Sequence, residues 1–155
     1  MVKGFVILGE PRGKERPKFT TINGHPKAIT QPKTVNYESL VKLNYSAQMG
    51  GFKIPDKQPV FMLIDCFMAI PQSQSNKKRE MMAAGQIRPL KKPDFDNVGK
   101  IICDSLNGIA YYDDAAVADA RVRKFYSHKP RVEVFISDEE IDARNIDQWR
   151  KKHHD

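Results

Sequence analysis

Ten residues, Lys91–Lys100, read K-K-P-D-F-D-N-V-G-K and set two carboxylates, Asp94 and Asp96, among the lysines Lys91, Lys92 and Lys100. In an extended segment, residues two apart point the same way, so both carboxylates can face one point. Two readings compete. Asp96 is a good N-cap for a helix starting near Asn97, with Asp94 near its positive end. A cap explains one aspartate and leaves the second without a reason. The other reading is an oxygen-ligand metal centre inside a basic face.

A second acidic spot, Tyr111-Tyr112-Asp113-Asp114, follows the helix after a short glycine-containing connection. A helix of roughly 11 residues carries the chain about 16 Å away at ~1.5 Å per residue. A strand-like segment over Ile109–Tyr112 would bring Asp113 or Asp114 back towards Asp94 and Asp96. Adjacent aspartates in such a place are equally a turn and a cap. Three converging carboxylates repel one another and must hold protons unless a cation joins them. A hard divalent ion such as Mg²⁺, which takes oxygen ligands and keeps waters for a phosphate to replace, resolves that conflict.

Lys100 lies four residues after Asp96 on the same helical face. It is either a surface ion pair, worth at most about 1 kcal/mol, or an ammonium set against charge developing on a phosphate. Taken together, these residues describe a metal-dependent phosphoryl-transfer site ringed by basic loops.

The elements that must position these groups are legible in outline. The chain has 155 residues, 40% of them hydrophobic, enough for a single core. Lys and Arg outnumber Asp and Glu by 26 to 19, a net charge of +7 that favours an anionic partner, nucleic acid foremost. The first ten residues are too short and too polar for a membrane span or a signal peptide. Cys66 and Cys103 lack metal-ligand spacing and read as reduced, buried thiols of a cytoplasmic protein. His153 and His154 read as part of a disordered tail.

Val2–Leu8 reads as a buried strand, followed by a basic, proline-rich loop carrying Arg12, Lys14, Arg16 and Lys18. Asn23-Gly24 between β-prone flanks predicts a hairpin over Phe19–Thr30. Thr34 starts a helix that Gly50-Gly51 stops. Val60–Ile70 is the most apolar run and the expected central strand. Ser75–Ala84 is helical, basic at Lys77, Lys78 and Arg79, and Asn97–Asn107 is helical with one apolar side. Val117–Tyr126 and Arg131–Ser137 read as neighbouring strands joined at His128–Pro130. Ser137-Asp138-Glu139-Glu140 is a capping-box pattern for a terminal helix through Trp149. The expectation is one compact α/β (α+β) domain, a mixed sheet flanked by helices.

P-D-F-D-N-V-G-K, then D-S-L-N-G, then Y-Y-D-D-A-A-V-A-D-A-R-V-R-K, in this order over Pro93–Lys124, resembles the RusA family of Holliday junction resolvases. The resemblance implies a nuclease domain over residues 1–137 with a C-terminal helix and basic tail over 138–155. It implies a homodimeric, cytoplasmic and nucleoid-associated endodeoxyribonuclease of recombination and repair, often prophage-encoded, that nicks four-way DNA junctions in pairs. Mg²⁺ is the implied cofactor, with Mn²⁺ as a substitute, and no small-molecule cofactor or membrane is implied. Carried over by position, the catalytic residues are Asp94, Asp96, Asp114 and Lys100, with Asp113 a further metal ligand beside the three aspartates. Arg12, Lys14, Arg16, Lys18, Lys77, Lys78, Arg79, Lys91 and Lys92 are candidate DNA contacts. Ser73–Leu90 departs from the family pattern as a helical insertion. A less specific Mg²⁺-dependent DNA nuclease, and a DNA-binding module without catalysis, stand as the alternatives.

Overall fold

A computed structural model of the chain describes residues 2–154, with Ala143 and His154 described by their backbone alone. In chain order the elements are β1 (Lys3–Leu8), β2 (Lys18–Ile22), β3 (His25–Ile29), α1 (Pro32–Met49), β4 (Val60–Ala69) and α2 (Asn76–Ala83). They continue with α3 (Phe95–Ser105), a 3₁₀ turn at Asp114–Ala116, β5 (Val117–Ser127), β6 (Arg131–Ser137) and α4 (Ala143–His154). Four strands form one sheet in the order β1-β6-β4-β5, and β2 and β3 pair only with each other. β5 runs parallel to β4, while β6 is antiparallel to both β4 and β1. The result is a single mixed α+β domain, as the sequence predicts.

Alternation along the strands gives the sheet two apolar faces. Phe5, Ile7, Met62, Ile64, Cys66, Val132 and Val134 meet Tyr37, Val41 and Tyr45 of α1 and Val98, Ile101 and Ile102 of α3. On the other face Leu63 and Phe135 pack with Ile146 and Trp149 of α4. Cys66 is buried, Cys103 is half-buried, and both are free thiols. Burial pushes the Cys66 thiol up to about 12, with the neighbouring Asp65 charge adding to the effect. Among the described residues, no helix is long and apolar enough to cross a membrane.

Three expectations fail. β5 and β6 are not neighbours, because β4 lies between them. The most apolar strand takes an interior position, and the short crossing beyond Ser127 is braced by Arg131, whose guanidinium donates to Ser127 Oγ at 3.1 Å and Lys129 O at 2.8 Å. The terminal helix does not begin at the Ser137 pattern. Ser137 Oγ instead accepts the Glu139 N–H in a local turn at 3.0 Å, and the helix starts after Asp142, whose carboxylate accepts the Arg144 N–H at 2.8 Å. Nor does the chain end as a disordered tail at His153: α4 continues through it, and its ring stacks on Trp149 with centroids 4.2 Å apart.

Sequence reasoning also missed a buried charge network. Asp65 on β4 lies opposite Glu133 on β6 and opposite Arg123 on β5, and both carboxylates are fully buried. Arg123 donates to both Asp65 oxygens at 2.6 Å, and Arg150 of α4 reaches Asp65 at 2.6 Å and Glu133 at 3.0 Å. Arg131 closes the set on Glu133 at 2.8 Å. At the β1 edge, the Gln48 side chain accepts the Val6 N–H at 2.8 Å and donates to the Val6 carbonyl at 2.7 Å, standing in for a neighbouring strand.

Removing one member of a buried ion network leaves its partners uncompensated, at about 3–5 kcal/mol. Asp65→Ala is therefore expected to lower unfolding free energy by that amount in urea titration. A loss below about 1 kcal/mol, the scale of an exposed pair, would show that the network contributes no more than a surface contact.

Candidate functional site

The lysine-flanked aspartates sit where α3 begins. Asp94 occupies the N-cap position with extended backbone (φ −68°, ψ 149°), and its side chain makes no capping hydrogen bond. Asp96 lies one residue inside the helix rather than capping it, which corrects the expectation of a helix starting at Asn97. Both side chains are exposed at the positive end of the helix dipole, which favours negative charge there. Val98, Ile101 and Ile102 anchor the opposite side of α3 in the core. Asp96, Lys100 and Asp104 follow one another at four-residue intervals along the outer face.

The basic loop between β1 and β2 lies across this helix start. The Lys14 N–H donates to the Asn97 carbonyl at 2.8 Å. A Cβ on Gly13 would stand 2.8 Å from Asn97 Cβ and 3.1 Å from Pro93 Cβ, so the loop approaches as only glycine permits. The cleft between them is lined by Arg12, Lys14 and Arg16 on one side and Lys92, Asp94 and Asp96 on the other.

A chain of ion pairs fixes the loop lysine. Lys14 Nζ lies 3.0 Å from Glu38 and 3.4 Å from Asp104, and Lys100 Nζ lies 3.4 Å from the same Asp104 oxygen. Partial burial works against the Lys14 charge, but Glu38 and then Asp104 outweigh it, so its pKa is raised. Lys100 remains largely exposed while paired with Asp104, on the helix face that carries Asp96.

Asp113 and Asp114 occupy a different place. Residues 108–112 form a turn closed by a bridge between Asn107 and Tyr111 instead of the expected returning strand. The two acids therefore stay near the C-terminal end of α3. Asn107 Oδ1 accepts the Asp114 N–H at 2.7 Å. Burial raises the Asp114 pKa, the adjacent Asp113 and then Asp104 raise it further, and Asn107 opposes the shift. Eight residues of helix separate Asp96 from Asp104, about 12 Å. The acids thus form two pairs, and no group of three His, Cys, Asp or Glu gathers to hold a metal ion among the described residues.

Of the other sequence candidates, Lys18 opens β2, just beyond the cleft. Lys77, Lys78 and Arg79 lie on α2, which packs against β5 and does not line the cleft. Lys91 contributes its carbonyl, which accepts the Lys124 ammonium at 2.5 Å and ties the aspartate loop to β5. Arg88 anchors the inserted segment by donating to the Lys124 carbonyl and lying 3.9 Å over the Phe125 ring. Sequence reasoning missed the parts of Glu38 and Asn107, while Asp104, which matches a family position read as structural, pairs with both lysines. Asp104 was signalled by its spacing from Lys100, whereas Glu38 meets Lys14 only through the tertiary fold.

Comparison with known proteins places this geometry in a lineage. Residues 9–137 match the profile of the family described as Endodeoxyribonuclease RusA. A relative in Bacillus subtilis (strain 168), the uncharacterized protein YqaN, is 38% identical over 134 residues, covering 85% of this chain and 93% of that protein.

Because Gly13 has no room for a methyl group, Gly13→Ala should cost about 1–3 kcal/mol of stability. It should also speed hydrogen exchange at the Lys14 amide. An exchange rate equal to wild type would mean that the loop is not seated on Asn97.

Proposed function

The chain belongs to the RusA endodeoxyribonuclease family, and from that premise we propose that it is a Mg²⁺-dependent resolvase of four-way DNA junctions, acting as a homodimer in recombination and repair. One observation carries the reading: Asp94 and Asp96 face the same cleft as Arg12, Lys14 and Arg16. Carboxylates alone would repel a phosphodiester, and guanidinium and ammonium groups alone would bind it without cutting.

The donor set fits a hard divalent ion. The acids offer carboxylate oxygens, and a cation relieves the repulsion from Asp113 and Asp104 that adds to burial in raising the Asp114 pKa. Mg²⁺ is commonly held by one or two carboxylates, with waters and substrate phosphate completing the shell. Asp94 and Asp96 are the first pair proposed to hold it, and Asp114 with Asp113 the second; Mn²⁺ would serve in its place. When bound, such an ion supplies Lewis-acid polarisation of a phosphate oxygen and a more acidic water.

The chain's own groups do the rest. Arg12, Arg16 and Lys92 hold the backbone by phosphate contacts that position without reading bases. Lys14, fixed between Glu38 and Asp104, supplies a positioned positive charge at the cleft wall. Lys100 is free enough to neutralise charge growing on a non-bridging oxygen. Two such sites about a two-fold axis would match the symmetry of a junction and cut opposing strands.

The test compares a synthetic four-way junction with linear duplex and single strand, in Mg²⁺ and in chelator. Paired nicks on the junction in Mg²⁺ alone are expected, and Asp96→Asn should bind normally while cutting at least about 100-fold more slowly. Single, uncoupled nicks by a monomer on every substrate would identify a less specific nuclease. Junction affinity should also fall steeply with salt, and Arg16→Ala should reduce the slope of log affinity against log salt by about 1. An unchanged slope would remove Arg16 from the phosphate contacts.

A further inference from the structure

The β2–β3 hairpin has a shape that the core does not explain. All ten of its strand residues are exposed, and its strands pair only with each other. An isolated two-stranded hairpin is at best marginally stable in water. This one is shaped by its turn, where Asn23 and Gly24 both have positive φ (50° and 77°), the geometry of a tight two-residue connection. Its root lies at the aspartate cleft, where the Lys14 amide is held by the Asn97 carbonyl and Arg16 lines the wall, two residues before Lys18 begins β2.

Cross-strand register sorts the side chains. Lys18 pairs with Ile29, Thr20 with Lys27 and Ile22 with His25, so one face carries the basic groups. Phe19 pairs with Ala28 and Thr21 with Pro26, so the other face has no charge. Phe19 is 76% exposed at the root of that face. An aromatic ring left in water on the face opposite the lysines calls for a partner that is both polyanionic and able to offer an apolar surface.

Resting on the branched-DNA reading above, we propose that the β2–β3 hairpin is a junction-engaging arm. Its basic face lies on the sugar–phosphate backbone, and Phe19 stacks on a base uncovered where the helices part. Five-residue strands give the arm a reach of about 17 Å from the cleft. A branch point exposes base faces that a continuous duplex keeps stacked, and aromatic side chains bind such faces without regard to sequence. The charged face serves any duplex, while the Phe19 face discriminates branched from linear DNA.

The experiment uses the full chain in chelator, so that DNA stays uncut, with a four-way junction carrying 2-aminopurine at the branch and a linear duplex of matched length. Wild type should bind the junction more tightly than the duplex and raise 2-aminopurine fluorescence. Phe19→Ala should weaken junction binding roughly tenfold, abolish most of the fluorescence rise and leave duplex affinity unchanged, and Phe19→Trp should restore both. Lys27→Ala should weaken both substrates alike. A Phe19→Ala protein that binds and opens the junction as wild type does would overturn the arm. So would a variant that loses self-association in sedimentation while keeping junction affinity, which would make the hairpin a contact between protomers. A wild type that binds neither DNA would overturn the branched-DNA reading and the arm with it.

Discussion

Two buried carboxylates side by side are the condition the rest of this fold satisfies. Asp65 and Glu133 face each other across β4 and β6 with no exposed surface. Burial makes each charge costly unless it is paired and hydrogen-bonded. Arg123, Arg131 and Arg150 converge on them from β5, β6 and α4. A shift of one residue in register would turn Asp65 to the opposite face, among Ile64 and Cys66. The network therefore fixes the pairing of three strands and the seat of α4.

The cleft depends on a different kind of restraint. Asp94 and Asp96 are exposed at a helix start, and their placement owes little to burial. It comes from the apolar side of α3, from the Lys124 ammonium on the Lys91 carbonyl, and from the loop laid across Asn97. A basic loop near two aspartates would be drawn onto them by simple attraction. Glu38 and Asp104 hold the Lys14 ammonium instead, leaving the aspartate oxygens open towards a ligand.

The sequence was most informative where a residue's local reason and its tertiary reason coincide. The strands, the Asn23-Gly24 turn and the apolar side of α3 follow from periodicity and turn chemistry, and the Pro93–Lys124 pattern carries the family. Strand order escaped, because a three-residue link between Ser127 and Arg131 looks like a hairpin until β4 claims the space between. The Ser137 capping pattern misled for a related reason: its hydroxyl is consumed by a tight turn at the end of β6. Asp65 within an apolar run was a visible anomaly, but its partners lie 58 to 85 residues away. The path of Asp113 and Asp114 depends on the direction the chain takes through the turn between Asn107 and Tyr111, which periodicity does not encode.

The Gln48 carboxamide on Val6 has a consequence for how copies of this protein can meet. It fills the outward hydrogen-bonding groups of Val6 with a side chain from α1, so the β1 edge is partly closed. β5 is the opposite margin, and beyond β4 it has no strand partner in the sheet. At that margin the Arg88 guanidinium takes up the Lys124 carbonyl, so side chains occupy backbone groups on both marginal strands. One glutamine and one arginine thus work against strand-by-strand extension of the sheet into an open-ended fibre.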